Sequence, residues 1–113
     1  MKTISEPITI EELDNMAKKT FGDLVKAVID IEKEILVIDA ELHADEEAYL
    51  LEKGSKQENL WGINIYTEME GAEQIEFDSM INLRPSQGNN SRGVDNSIIR
   101  EKILKIVNKL IKK

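Results

Sequence analysis

Cysteine is absent from this chain of 113 residues. Its absence excludes disulfide bonds, thiolate metal ligands, CxxC redox chemistry and a cysteine nucleophile. No apolar run approaches the roughly 20 residues that a membrane-spanning helix requires. The first residues also lack the basic and apolar segments of a signal peptide. We therefore expect a cytoplasmic protein of a prokaryote that has no membrane partner.

Aromatic residues are also scarce, at 4% of the chain, and there are only two prolines. Hydrophobic residues make up 41% and charged residues 33%, a balance typical of a globular protein rather than a disordered one. A chain of this length is the usual size of one domain with one hydrophobic core. We expect a single domain over residues 1–113.

The net charge of −7 divides unevenly along the chain. Residues 84–113 carry eight Arg and Lys against two acids, whereas residues 1–83 carry seven Lys against twenty acids. A basic segment of this kind can mark a surface for an anionic partner. Our preferred interpretation is structural: a basic C-terminal helix lies across an acidic body.

Three segments carry helical patterns. The first predicted helix covers residues 10–21. Thr9 and Glu12 form a capping box at its start, and apolar residues recur at helical spacing as far as Phe21. Gly22 follows as the stop residue. Residues 44–53 have acids in their first turn, where the helix dipole favours them, and end at Gly54. The last helix runs from about residue 97 to the end of the chain, with Asp95 or Asn96 as its N-cap. Its predicted buried arc is apolar: Ile99, Ile103, Ile106, Val107, Leu110 and Ile111.

Four segments carry strand patterns. Residues 24–31 and 35–40 are rich in β-branched residues on both faces, which predicts a hairpin of central strands covered by helices on at least one side. The turn between them lacks the usual glycine. Residues 60–66 and 74–83 alternate and predict a second hairpin, with Trp61 on the apolar face of its strand. In this register Asp78, Asn82 and Arg84 share one face.

These elements follow the order (β)αββαββα, where the first strand is a possible N-terminal one. Strands and helices do not alternate in the βαβ manner of doubly wound folds. The sequence therefore predicts the α+β class: an antiparallel or mixed sheet of two hairpins packed with three helices. It does not predict the order of the strands in the sheet.

The loop at residues 84–93 is the most suggestive functional feature. It joins a predicted strand to a predicted helix start, and its glycines allow several backbone N–H groups to point at one anion. Its spacing matches neither the P-loop nor the dinucleotide-binding motif. The alternative is an exposed connector whose polar side chains bond to the backbone. The candidate ligand-binding residues are Arg84, Ser86, Gln87, Asn89, Ser91 and Arg92.

A second candidate centres on the single histidine, His43. An imidazole near carboxylates can act as an acid or base, so His43, Asp45 and Asp78 are candidate catalytic residues of a small enzyme, with Arg84 as the substrate anchor. The structural alternative is a histidine that only caps the second strand. No metal site is predicted, because a lone histidine lacks the spacing of two metal-binding histidines on one helix face.

Other functional classes have weaker support. The lysines of the last helix can attract nucleic acid, but no aromatic residues interleave with them, so a nucleic-acid partner is not favoured. No sequence feature points to a cofactor. A third hypothesis is an interaction protein that forms a homodimer through an apolar surface or a strand edge. The leading hypothesis stays a binding or regulatory domain for a small anionic molecule at residues 84–93.

Four stretches of the chain are distinctive: residues 41–45 (ELHAD), 54–57 (GSKQ), 60–64 (LWGIN) and 75–89 (IEFDSMINLRPSQGN). Together they resemble a family of short prokaryotic proteins of unknown function, the DUF5674 family. The resemblance covers nearly the whole chain and differs in the first hairpin turn, where Glu34 stands in place of an expected glycine. It implies no activity or cofactor. It does imply signature positions, which are His43, Asp45, Ser55, Gln57, Trp61, Asn64, Asp78, Asn82, Arg84, Ser86, Asn89, Ser91 and Arg92.

Overall fold

The computed structural model describes residues 1–113 and has the predicted α+β class. The elements in chain order are β1 Lys2–Ile4, β2 Ile8–Thr9, α1 Ile10–Lys19, β3 Leu24–Asp30, β4 Ile35–Ile38, α2 His43–Glu52, β5 Leu60–Tyr66, β6 Ile75–Glu76, α3 Ser97–Leu110 and β7 Ile111–Lys112. A five-stranded antiparallel sheet has the strand order β1-β4-β3-β5-β6, and the two short strands β2 and β7 pair in parallel.

The first hairpin is confirmed, and its turn shows how it forms without glycine. Glu34 adopts a left-handed conformation with φ of 56°, which is uncommon for a residue with a side chain. Asp30, at the end of β3, is almost fully buried, and its carboxylate accepts hydrogen bonds from the backbone N–H groups of Glu32 and Lys33. The Ser55 hydroxyl donates to the same carboxylate at 2.7 Å. Asp30 therefore holds the turn in place of the missing glycine.

The helix α1 begins as predicted, with the Thr9 hydroxyl accepting from the N–H of Glu12 at 3.2 Å. It ends at Lys19, two residues earlier than predicted. The backbone N–H of Gly22 returns to the carbonyl of Ala17 and closes the last turn. Phe21 therefore lies outside the helix and is 43% exposed rather than in the core, where it contacts the Lys26 ammonium.

The sheet buries apolar side chains on both faces. The larger core lies between one face and the helices α1 and α3, and includes Trp61 as predicted. The smaller core lies between the other face and α2, where Val28, Val37, Leu50 and Leu60 pack together. Because strand residues alternate between faces, β3 and β5 contribute to both cores. The α2 core covers only part of its face, and polar side chains occupy the rest.

The C-terminal helix buries its predicted apolar arc but does not reach the end of the chain. It is capped by Asn96, whose side chain accepts from the N–H groups of Ile98 and Ile99. It ends at Leu110, and Ile111 then pairs with Ile8 in the parallel β2–β7 sheet. The basic face of α3 borders a groove shared with acids of the β3–β4 turn, where Lys109 lies 3.5 Å from Glu34.

The predicted strand over residues 74–83 is wrong beyond its first residues. The strand β6 contains only Ile75–Glu76, and the chain then turns through a 3-10 helix at Met80–Asn82. Asp78, Asn82 and Arg84 therefore do not share a sheet face. No helix of the chain has both the length and the apolar character needed to cross a membrane.

Candidate functional site

A cavity of about 330 Å³ opens on the α2 side of the sheet, next to the smaller core. Its base is formed by β3, β5 and β6, and its sides by the start of α2 and the segment at residues 78–81. The lining residues are Leu24, Lys26, Leu42, His43, Ala44, Asn64, Tyr66, Glu76, Asp78, Ser79, Met80, Ile81 and Arg92.

Gly62 on β5 allows two polar side chains to pack closely together beside this cavity. A Cβ atom at Gly62 would lie 2.6 Å from the Oγ of Ser79 and 3.2 Å from the Cγ of His43. Both side chains therefore occupy the space that any other residue would fill. His43 is 7% exposed and Ser79 is 2% exposed, and both line the bottom of the cavity. The Ser79 hydroxyl accepts from the N–H of Ile81 at 3.3 Å.

The backbone fixes the tautomer of His43. The Nε2 atom lies 2.8 Å from the carbonyl oxygen of Ile63. A carbonyl can only accept, so Nε2 carries the proton and Nδ1 keeps its lone pair. Burial lowers the pKa of His43 below its ordinary value, and the nearby cations Lys26 and Arg92 lower it further. The imidazole is therefore neutral at pH 7, with Nδ1 as an acceptor or base.

Two cations line the cavity, and both have donors to spare. The Lys26 side chain is half-buried and pairs with no carboxylate; its ammonium lies 5.3 Å from the centre of the Phe21 ring. The Nε atom of Arg92 lies 2.8 Å from the Asp78 carboxylate. That pairing leaves both terminal nitrogens of the Arg92 guanidinium without a protein acceptor.

A polar row crosses the sheet at the base of the cavity. Lys26, Asn64 and Glu76 face one another on three neighbouring strands, β3, β5 and β6. The Asn64 amide donates to the Glu76 carboxylate at 2.8 Å, and the Tyr66 hydroxyl donates to the same oxygen at 3.2 Å. Glu76 thereby fixes the Asn64 amide, whose own oxygen is buried and has no partner.

The start of α2 also faces the cavity, through Leu42, His43 and Ala44. No side chain caps this helix, because Leu42 occupies the N-cap position. The backbone N–H groups of His43 and Ala44 make no hydrogen bond within the protein. A helix start with open N–H groups carries a partial positive charge. It therefore adds to the positive charge of Lys26 and Arg92, which the carboxylates of Glu76 and Asp78 oppose in the same cavity.

One turn after His43, Glu46 points into the protein and is fully buried. Neither oxygen makes a hydrogen bond of normal geometry; the backbone N–H of Ala40 lies near enough to lower the pKa of this carboxyl, but by less than burial raises it. Burial raises the pKa of Glu46 to about 9, so this carboxyl is protonated at neutral pH. Glu46 therefore supplies no buried counter-ion to the nearby Lys26.

The side chains of Asn82 and Asn89 form hydrogen bonds with the protein backbone and stabilise the fold. The Asn82 side chain accepts from the N–H of Gly62 at 2.8 Å and donates to the carbonyl of Gly62 at 3.0 Å. It thus pairs with β5 as a strand backbone would. The Asn89 amide donates to the carbonyls of Asn82, Ser91 and Gly93. These two amides replace the strand that the alternating pattern predicts at residues 77–83.

The other candidates of the 84–93 loop lie apart from the cavity, except Arg92. The Arg84 guanidinium lies 4.3 Å from the centre of the Trp61 ring and donates to the carbonyls of Gln57 and Leu60. Gln87 donates to the carbonyl of Glu58. Ser91 donates to the Asp95 carboxylate, and Ser86 is exposed.

The structure thus brings His43, Asp78 and Arg92 to one cavity and leaves Arg84 and Asp45 outside it. Asp45 is exposed and borders a different surface, beside Asp39 and Glu41. Lys26 and Ser79, which sequence reasoning did not single out, do line the cavity. The available signal was a lysine interrupting the apolar strand at residues 24–30. No three His, Asp or Glu side chains converge in a way that could hold a metal ion.

Comparison with known proteins identifies a family and no activity. The chain matches the family described as "Protein of unknown function (DUF5674)" over residues 2–110. Neither the curated proteins nor the solved structures include a match. Because the family match spans almost every residue, the resemblance noted from the sequence is confirmed. The chain belongs to the DUF5674 family.

Proposed function

We propose that this chain is a binding domain for a small molecule with an anionic group, and that the cavity beside His43 is its site. The observation that carries the proposal is the set of free donors around one cavity. Lys26 pairs with no acid, and Arg92 uses only its Nε for Asp78. The open N–H groups at the start of α2 complete the set.

An anion in this cavity would meet charge-assisted hydrogen bonds from Arg92, the residue best suited to grip a carboxylate or phosphate in forked geometry. The Asp78 carboxylate holds the guanidinium while leaving its terminal nitrogens open. Elsewhere in the 84–93 loop, Arg84, Gln87 and Asn89 already donate to backbone carbonyls. Because these loop side chains already have acceptors, the cavity is the better candidate for the anion-binding site. An anion site in the loop itself stays a prediction.

Titration of isotope-labelled protein with acetate, phosphate and nucleoside monophosphates, followed by amide NMR shifts, tests this proposal. We expect one of these anions to shift the amides of Lys26, His43 and Ala44. The substitution Arg92→Gln removes a charge-assisted hydrogen bond and should weaken binding by about tenfold or more. The control Arg100→Gln removes an equal charge from α3, outside the cavity, and should change affinity less than about twofold.

Two outcomes would contradict the proposal. One is the absence of shifts with every anion. The other is a set of shifts confined to residues 84–91, which would place the anion in the loop. Equal loss of affinity in the Arg92 and Arg100 variants would indicate attraction by overall charge alone and would also count against the cavity.

One observation favours a second candidate, an enzyme with His43 as a general base. The ring is held by Ile63, which leaves Nδ1 unprotonated, and the buried Ser79 side chain lies against the same glycine, Gly62. Because Arg84 lies outside the cavity, Arg92 would hold the substrate in this reading. A panel of carboxylic esters and amides tests it: His43→Gln, which keeps a donor for Ile63, should slow any turnover about a hundredfold. Turnover unaffected by His43→Gln would reject this role.

A further inference from the structure

The cavity combines its cations with an apolar rim. Met80 is 62% exposed and Leu42 is 56% exposed, and both line the cavity from different segments. Leu24 and Ile81 are half-buried and line it as well. Single exposed apolar residues are common on proteins, but several around one polar cavity form a surface that a ligand can bury.

The polar groups extend from the bottom of the cavity to its mouth. His43, Asn64 and Ser79 are more than nine-tenths buried, whereas the Arg92 side chain is 56% exposed and lies at the mouth with the apolar rim. An inorganic anion bound by Lys26 and Arg92 would leave Leu42 and Met80 in water. A ligand with an apolar body would cover Leu42 and Met80 and gain the free energy of burying them.

Resting on the proposed function, we infer that the ligand is an amphipathic organic anion. Its acidic group meets Arg92 and Lys26, and its short aliphatic body lies against Leu42 and Met80. A cavity of 330 Å³ limits the size of that ligand. A water molecule takes about 30 Å³ in the liquid, and by that measure the cavity holds about ten non-hydrogen atoms. A straight-chain carboxylate of about eight carbons fills it.

A homologous series of straight-chain carboxylates, from acetate to decanoate, tests this inference. Each CH₂ group that enters the cavity should tighten the Kd about fourfold. The gain should stop near eight carbons, where the cavity is full. Amide NMR shifts of His43 and Lys26 report binding at the cavity for every member of the series.

Substitutions at the rim supply the matched comparison. Met80→Ser should weaken octanoate binding by about fourfold or more and leave acetate binding unchanged, because acetate does not reach the rim. The control Ile98→Ser alters a side chain on α3 that is 66% exposed and lies outside the cavity. It should leave the whole series unchanged. Both side chains are exposed, so neither substitution should prevent folding.

The outcomes separate this inference from the proposed function. If acetate and octanoate bind the cavity with equal affinity, the ligand class is wrong and the anion site stands. If no carboxylate shifts the cavity amides but phosphate does, the amphipathic ligand is likewise rejected. If no anion of any kind binds, both proposals fail. A dimer in sedimentation that Met80→Ser dissociates would show that the rim contacts a second copy of the chain, which would overturn the inference.

Discussion

The sheet face beneath α1 and α3 is covered by aliphatic side chains, whereas the face beneath α2 changes from aliphatic to polar along β3 and β5. Beneath α2, Val28 and Leu60 pack at one end, and Lys26 and Asn64 replace them further along. The first face obtains its stability from packing. The second gives up part of its packing and holds its groups through hydrogen bonds to the backbone. The polar face beneath α2 is therefore the part of the sheet on which we propose the binding site.

The polar face should be most sensitive to the loss of Asn82. Asn82→Ala removes three hydrogen bonds and leaves the buried N–H and carbonyl of Gly62 without partners, whereas the Arg92 carbonyl still accepts from the N–H of Ser79. We expect the free energy of unfolding to fall by about 4 kcal/mol in urea denaturation. Asn90→Ala is the control, since Asn90 is exposed and bonds through its backbone N–H. A loss below about 1 kcal/mol would show that packing rather than hydrogen bonding supports this face.

The buried Glu46 should make stability depend on pH. Its pKa is raised by burial from 4.5 to about 9, so the folded protein binds one more proton than the unfolded chain between these values. Stability should therefore fall as pH rises through this range, at up to about 1.4 kcal/mol per pH unit. Glu46→Gln should remove this slope and stabilise the protein by roughly 3 kcal/mol at pH 7.

Urea denaturation of wild type and Glu46→Gln at pH 5, 7 and 9 measures the difference between their slopes. Asp45→Asn is the control, because Asp45 precedes Glu46 on the same helix and is exposed. Parallel stability curves for wild type and Glu46→Gln would mean that Glu46 is ionised in the folded state.

The contact over Gly62 should give a smaller effect. A Cβ at this position meets Ser79 at 2.6 Å, so Gly62→Ala forces the segment at residues 78–81 away from β5. We expect a loss of about 2 kcal/mol. Adding Ser79→Gly should restore more than half of that loss, because it removes the atoms that clash. If the double variant is no more stable than Gly62→Ala, the close approach of Ser79 is not the cause.

Much of the architecture follows from local patterns in the sequence. The capping box at Thr9, the two β-branched runs and the apolar arc of α3 each predict an element that the structure contains. The helices are predictable because their periodicity comes with a start or stop residue. The two strands are predictable because their runs are rich in β-branched residues and have the length of a strand. The two short strands β2 and β7 escaped prediction, since their pairing joins the two ends of the chain.

The error at residues 77–83 has a specific physical cause. The alternation there is that of a strand, but the side chain of Asn82 forms the hydrogen bonds that a strand backbone would form with Gly62. The same alternation of polar and apolar residues is compatible with pairing to β5 through a strand backbone or through the Asn82 side chain. Because the chain turns here instead of continuing as a strand, Asp78 and Arg92 pair beside the cavity, and Arg84 lies over the Trp61 ring.

Three of the residues that line the cavity, His43, Asp78 and Arg92, are candidates that the sequence names from their chemistry. Their function stays a prediction. Their convergence could not be predicted, because it depends on β3 and β5 being neighbours while β6 is short. The sequence places Lys26 on a central strand, as the structure does. It lines the cavity because α2 covers only part of that face of the sheet.

The state of the imidazole tests most directly whether the polar face is arranged for a ligand. The chain has one histidine, so NMR correlations of labelled imidazole nitrogens report on His43 alone. We predict a proton on Nε2, a free lone pair on Nδ1 and a pKa below the usual 6.5, with the Nδ1 resonance shifting when an anion binds. A proton on Nδ1, or a pKa at or above 6.5, would contradict the arrangement proposed for this cavity.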